Sequence, residues 1–211
     1  MIVLICGISI IVVIGIGEYL ATQEQDRIIR ERESKIIPLI SAFESELQDT
    51  ISLVEITAQI DDVLNLPFAD QIKQEIHGIQ QEQDIKKRQI ARDILFNKEN
   101  VRAVYFTMPN ADMYMIEPYQ LQEKISSSNF SFRDWYNGVL ETKTTYISEA
   151  FSPQGVGENS ISIVTPVKSS GQFVGIWGVL VDLDSWSMQF DKILNKDENV
   201  VIVDHNGNMI I

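Results

Sequence analysis

The chain has 211 residues, 45% of them hydrophobic, which is enough for one folded domain with a sizeable core plus extra helix and too apolar for a disordered protein. A formal net charge of −13 repels a phosphate backbone from most of the surface and argues against nucleic-acid binding. A single cysteine excludes an intrachain disulfide, and two histidines in unrelated contexts give no metal-ligand spacing, so neither a metal nor a cofactor is expected.

The opening run MIVLICGISIIVVIGIG carries no charged side chain until Glu18, and Tyr19 follows where an interfacial aromatic would sit. Residues 1–21 therefore read as a transmembrane helix. A cleaved signal peptide is the alternative, although no basic segment precedes the run and no small-x-small site follows it. Arg27, Arg30, Arg32 and Lys35 lie just beyond it, interleaved with acidic residues. By the positive-inside rule they favour a cytoplasmic location for that side, against an extracytoplasmic domain.

From Gln23 to Leu66 the residues Ile29, Ile36, Ile40, Phe43, Leu47, Ile51 and Val54 recur at helical spacing as one apolar stripe. Such a stripe packs on the domain, on a partner helix, or on both in succession, which points to a homodimer through the long helix. Pro38 is expected to kink it. A second, charged helical stretch is expected around Ala69–Phe96, with Ile72, Ile76 and Ile79 on one face.

After Asn97 the texture changes to short β-rich runs. VRAVYFT and MYMIEPY flank MPNAD, an antiparallel pair around a turn. A helix follows in SFRDWYNGVLET, with Ser131 placed to cap its start and Asp134 three residues on, close to a capping box. TYISEAF, SISIVTPV and FVGIWGVLVDL read as three more strands, the last two joined by a hairpin at KSSGQ. Five strands, one crossover helix and a preceding long helix predict an α+β domain, a curved antiparallel sheet with helices on one side. DSWSMQFDKILN predicts a short helix and NVVIVDHNGNMII a hairpin turning at Asn206-Gly207. That hairpin has no strand left to pair with. The expected organisation is a span at 1–21, a helical stalk at 22–97, an α+β module at 98–195 and the first hairpin of a further module at 196–211.

The order of these features resembles the extracytoplasmic double-Cache sensor domains of prokaryotic receptors. The residues that carry the resemblance are PYQLQEKISSSNFSFRDWYNGV, YISEAF, ISIVTPV, GQFVGIWGVLVDLDSW and VVIVDHNGNMI, in family order from Pro118 onward. The resemblance implies two stacked PAS-like modules on a long N-terminal helix, with the ligand in the membrane-distal one. Here the distal module is complete and the proximal one is represented by its first hairpin.

In the amino-acid-binding branch of that family an arginine, a tryptophan two residues on and the adjacent aromatic hold the ligand carboxylate, and Arg133, Trp135 and Tyr136 match them. The chemistry is sound, because a guanidinium offers parallel donors to both carboxylate oxygens while indole and phenol add donors on apolar walls. On one helix Arg133 and Tyr136 would share neighbouring ridges, with Trp135 pointing elsewhere. Tyr146 matches a further ligand-facing tyrosine. The two aspartates that pair with the ligand amine are replaced by Ser148 and Leu180, and a tyrosine five residues before the arginine by Ser128. Strand alternation turns Asp182 the same way as Leu180. From the first hairpin Tyr105, Tyr114 and Glu117 are further candidates. In the alternative reading Arg133 pairs with Asp134 or Glu149 on the surface, Trp135 and Tyr136 fill the core, and Asp182 and Asp184 cap the following helix.

A membrane-bound sensor for a small organic acid or amino-acid-like ligand is the leading function. A structural coiled-coil protein would explain the long helix but leave the arginine–aromatic cluster unused. An anchored hydrolase would need a nucleophile motif, and there is no G-x-S-x-G elbow or paired Cys/His, so no enzymatic activity is expected.

Overall fold

The computed structural model describes residues 2–153 and 159–185, with side chains of the first helix described throughout only from residue 33 onward. Helix α1, Ile2–Thr57, runs unbroken through Pro38. The expected membrane span lies where side chains are not described, and among the described residues no helix is long and apolar enough to cross a membrane. The expected C-terminal helix beyond Ser185 and the expected terminal hairpin lie outside the described residues. The chain divides into two compact units, residues 1–44 and 45–211. In the first, Ile36, Ile37 and Ile40 are 41%, 60% and 49% exposed.

The second unit is built on a five-stranded antiparallel sheet, β1 Val101–Thr107, β2 Met113–Glu117, β3 Tyr146–Ile147, β4 Ser160–Ser169 and β5 Gln172–Asp182, in the order β2-β1-β5-β4-β3. Both expected hairpins form. At the first, the Met108 amide donates to the Asp112 carbonyl at 2.8 Å and Asn110 Oδ1 accepts from the Asp112 amide. At the second, Ser170 and Gly171 take φ of 51° and 79°, the two left-handed residues that a two-residue hairpin loop needs. β5 pairs with both β1 and β4, and its apolar run matches a strand buried on both faces.

Helices cover both faces of this sheet, not one as expected. Alternation along β5 sends Trp177, Val179 and Val181 to one side and Ile176 and Leu180 to the other. On the first side the Trp177 indole N–H donates to the Thr57 hydroxyl at 2.9 Å, and that hydroxyl donates to the Leu53 carbonyl, which fastens the end of α1 to the sheet. On the other side lie α4, Tyr119–Lys124, which the sequence did not announce, and α5, Asp134–Thr142. Gly138 of α5 admits the Tyr146 ring so closely that an added Cβ would lie 2.5 Å from it.

The expected helix over 69–96 is a correction. Only α3, Ile85–Asn97, is helical in length; Ala69–Gln71 and Gln74–Ile76 are short 3₁₀ turns, and α2, Asp61–Leu64, is one turn. The reason is a buried arginine. Arg88 is fully buried and donates to the carbonyls of Ile79, Gln80, Gln83 and Ile116 and to Glu117 Oε1 at 2.7 Å. Backbone acceptors that a helix would have satisfied internally are thus satisfied by one side chain. Gln122, also fully buried, adds donors to the Ile76 and Ile79 carbonyls. Gly78 has φ of 151°, and a Cβ there would meet the Tyr114 carbonyl at 2.8 Å.

Beside this network Lys87 is buried against Asp84 at 2.7 Å and over the Tyr114 ring at 4.7 Å. Burial pushes the Lys87 ammonium below its ordinary value while Asp84 opposes.

Candidate functional site

Between the sheet and the α4/α5 side is a cavity of ≈ 60 Å³. Its floor is Ala103, Tyr105, Met113, Ile116, Ser162 and Leu180 of the sheet. Leu121, Ile125, Phe130, Trp135, Phe151 and Pro153 form the walls, and among the described residues Arg133 is the only charged one lining it. Gly178 faces Tyr105 across β1 and β5, and a Cβ there would lie 3.1 Å from the phenol ring, so the missing side chain lets that ring cross β5.

Arg133 is the N-cap of α5, at φ −79° and ψ 140°. The ridge geometry expected for 133 and 136 therefore does not apply, because Arg133 precedes the helix and its extended backbone sends the side chain off the end. Its guanidinium carbon lies 4.5 Å from the Phe151 ring centre and 5.1 Å from that of Phe132. Aromatic faces hold a guanidinium without neutralising it. Its Nε is buried and has no hydrogen-bond partner, and no ion pair to Arg133 is found among the described residues. Burial pushes Arg133 below its ordinary value, opposed by Asp134 and Tyr105. It stays charged all the same. Neither surface partner of the alternative reading engages it: Asp134 Oδ2 instead accepts the Glu149 amide at 2.7 Å, and the expected capping box with Ser131 does not form.

The other expected residues divide sharply. Trp135 is 2% exposed and lines the cavity, its ring 5.3 Å from that of Tyr105. Leu180 lines it too. Tyr136 is buried outside the lining and donates to the Pro109 carbonyl at 2.7 Å. Tyr146 packs on Gly138 outside the cavity. Ser148 donates to the Glu149 carbonyl and accepts the Ser162 amide, each at 2.7 Å, a tie between β3 and β4.

Asp182, fully buried, lies beyond the cavity: Oδ2 accepts Arg102 at 2.9 Å and Oδ1 accepts the Asp184 amide at 2.9 Å, so it is a capping and pairing residue. Tyr114 is on the opposite sheet face and donates to Asp84 at 2.8 Å. Glu117 accepts from Arg88 and Arg92.

Tyr105 and Ser162 are the polar residues of the cavity that the leading motif did not supply. Tyr105 is 6% exposed and its hydroxyl has no hydrogen-bond partner. Burial pushes the phenol well above its ordinary value; Ser162 and Arg133 pull the other way, though Ser162 does not reach hydrogen-bond geometry with it. Alternation alone left two possible faces for this strand, and its pairing with Gly178 decides between them.

A family model described as methyl-accepting chemotaxis protein-like, first PDC sensor domain, matches residues 79–188. No curated protein matches the chain in sequence. Among solved structures, the ligand-binding domain of the Pseudomonas aeruginosa amino acid chemoreceptor PctC in complex with GABA superposes with a TM-score of 0.59 at 20% identity, over 83% of this chain and 71% of that one. The ligand-binding domain of the Pseudomonas fluorescens chemoreceptor CtaA in complex with L-isoleucine gives 0.60 at 18% identity, over 89% and 71%. The sensor domain of the V. cholerae histidine kinase DctB gives 0.62 at 12% identity, over 81% and 61%. At these identities the likeness is one of fold.

Proposed function

Since the chain belongs to the family of methyl-accepting chemotaxis protein-like first PDC sensor domains, we propose that it senses a small organic anion, outside the cytoplasm, in the cavity beside Arg133. One observation carries the ligand class: a guanidinium with no carboxylate partner among the described residues, its Nε buried and unsatisfied, in an otherwise largely apolar cavity. An unpaired buried donor is costly unless something arrives to accept from it. The chemoreceptor domains of similar fold were solved with GABA and with L-isoleucine, both small molecules that carry a carboxylate.

Signalling follows as a population shift. A ligand between Arg133 and the sheet favours the arrangement that closes on it, and the bond from Trp177 to Thr57 carries that preference to α1. Only differential affinity for the two arrangements moves the equilibrium. The apolar run at 1–21 is the proposed membrane span.

A thermal-shift screen of small metabolites tests the ligand class. An acid at about one hundred times its dissociation constant should raise the melting temperature by about 5–10 °C. A screen in which only amines or neutral molecules stabilise the chain would remove the anion reading.

The long helix is proposed to pair with a second copy, parallel, through the stripe whose members Ile36 and Ile40 are exposed. Single cysteines at Ile29, Ile36 and Phe43, introduced over Cys6→Ala in membranes, should cross-link more efficiently than cysteines at the positions between them. A pattern without helical periodicity would count against pairing.

A further inference from the structure

The polar groups of the cavity are gathered in one corner. Arg133, Tyr105 and Ser162 are the lining residues with polar side-chain hydrogen bonding to offer apart from the Trp135 indole. The remaining lining is apolar, with Leu180, Met113 and Ile116 on the floor and Ile125, Leu121 and Phe130 on the walls. Among the described residues no acidic side chain lines the cavity. Asp182 is held by Arg102 and the Asp184 amide, Glu117 by two arginines, and Asp134 by the Glu149 amide.

From this we infer that the ligand is a short monocarboxylate with an uncharged apolar tail, and that Tyr105 is a specificity-determining residue, donating to one carboxylate oxygen while Arg133 donates to the other. The inference rests on the reading of this cavity as the anion site. Among the described lining residues a ligand ammonium would be buried by Leu180, Met113 and Ile116 without a counter-charge, which disfavours plain amino acids. A second carboxylate would likewise find no second cation among them. With ≈ 60 Å³ of space the cavity holds a ligand of roughly four to six non-hydrogen atoms. Tyr105, kept protonated by burial, is an O–H donor throughout the physiological range.

The experiment is calorimetric titration of the 211-residue chain in detergent micelles with propionate, butyrate, alanine, 2-aminobutyrate and succinate. Propionate and butyrate should bind at least about tenfold more tightly than their amino counterparts and than succinate. Tyr105→Phe should weaken butyrate about tenfold while the ligand-free protein melts no lower than the parent, because the change deletes an unsatisfied buried hydroxyl. If alanine or succinate binds as tightly as propionate, and Arg133→Ala abolishes that binding, the monocarboxylate inference fails while the anion site stands. If none of the five binds, or if binding ignores Arg133→Ala, both readings fail. A Tyr105→Phe variant that leaves affinity unchanged, or that loses melting temperature along with affinity, overturns the role given to Tyr105.

Discussion

Replacing Arg133 with alanine is expected to weaken carboxylate binding by about 2–5 kcal/mol, the range for removing one partner of a buried hydrogen-bonded charge pair. The lower half of that range is the expectation, since Arg133 is partly exposed and solvent screens part of the interaction. In the ligand-free protein the same change orphans nothing, because Arg133 forms no ion pair among the described residues. Its stability should therefore move by less than about 1 kcal/mol. Arg133→Lys should recover little affinity. A lysine ammonium lacks the planar fork that meets two oxygens at once and that rests between the Phe132 and Phe151 rings. Calorimetry with the acid returned by the thermal-shift screen, beside thermal melts without it, separates the two effects. Equal affinity in Arg133→Ala would return this residue to the role of a surface cation.

The second large effect falls on stability. Arg88→Ala should destabilise the domain by about 3–5 kcal/mol, because it breaks a buried ion pair and removes one donor each from the Ile79, Gln80 and Gln83 carbonyls. Glu117 keeps Arg92, which moderates the loss. Adding Glu117→Gln to Arg88→Met should restore part of it, since an apolar or neutral pair spares the cost of one lone buried charge. Urea denaturation at neutral pH measures both. A loss under about 1 kcal/mol in the single variant would mean that the 77–84 segment holds its path without Arg88.

The hairpins were legible because local chemistry specifies them. MPNAD and the Ser170-Gly171 pair have turn composition, and the flanking runs are β-branched and aromatic. The segment at 69–84 misled for a definite reason. Ile72, Ile76 and Ile79 fall at helical steps, yet the Ile79 and Gln80 carbonyls are taken by an arginine eight to nine residues further on, and no local pattern announces a side chain that replaces helix hydrogen bonds. The site was legible only in part. Arg133, Trp135 and Leu180 line the cavity, but Tyr136, Tyr146 and Ser148 are drawn away by the Pro109 carbonyl, Gly138 and β4, partners from 8 to 27 residues distant. Tyr105 needed the register of β1 on β5 before its face could be known.

β5 has a consequence for how such a receptor can diversify. Its even-numbered residues Ile176, Gly178 and Leu180 belong to the chamber side, and Trp177, Val179 and Val181 to the side fastened to α1. Because β5 alternates without a break from Ile176 to Val181, parity along this one segment would, under the proposed function, divide what is perceived from how it is reported. Substitutions at even positions can retune the chemical repertoire while the output linkage is inherited intact. Changes at odd positions can reset gain or sign for an unchanged stimulus, and a single-residue insertion would exchange the two vocabularies at one stroke.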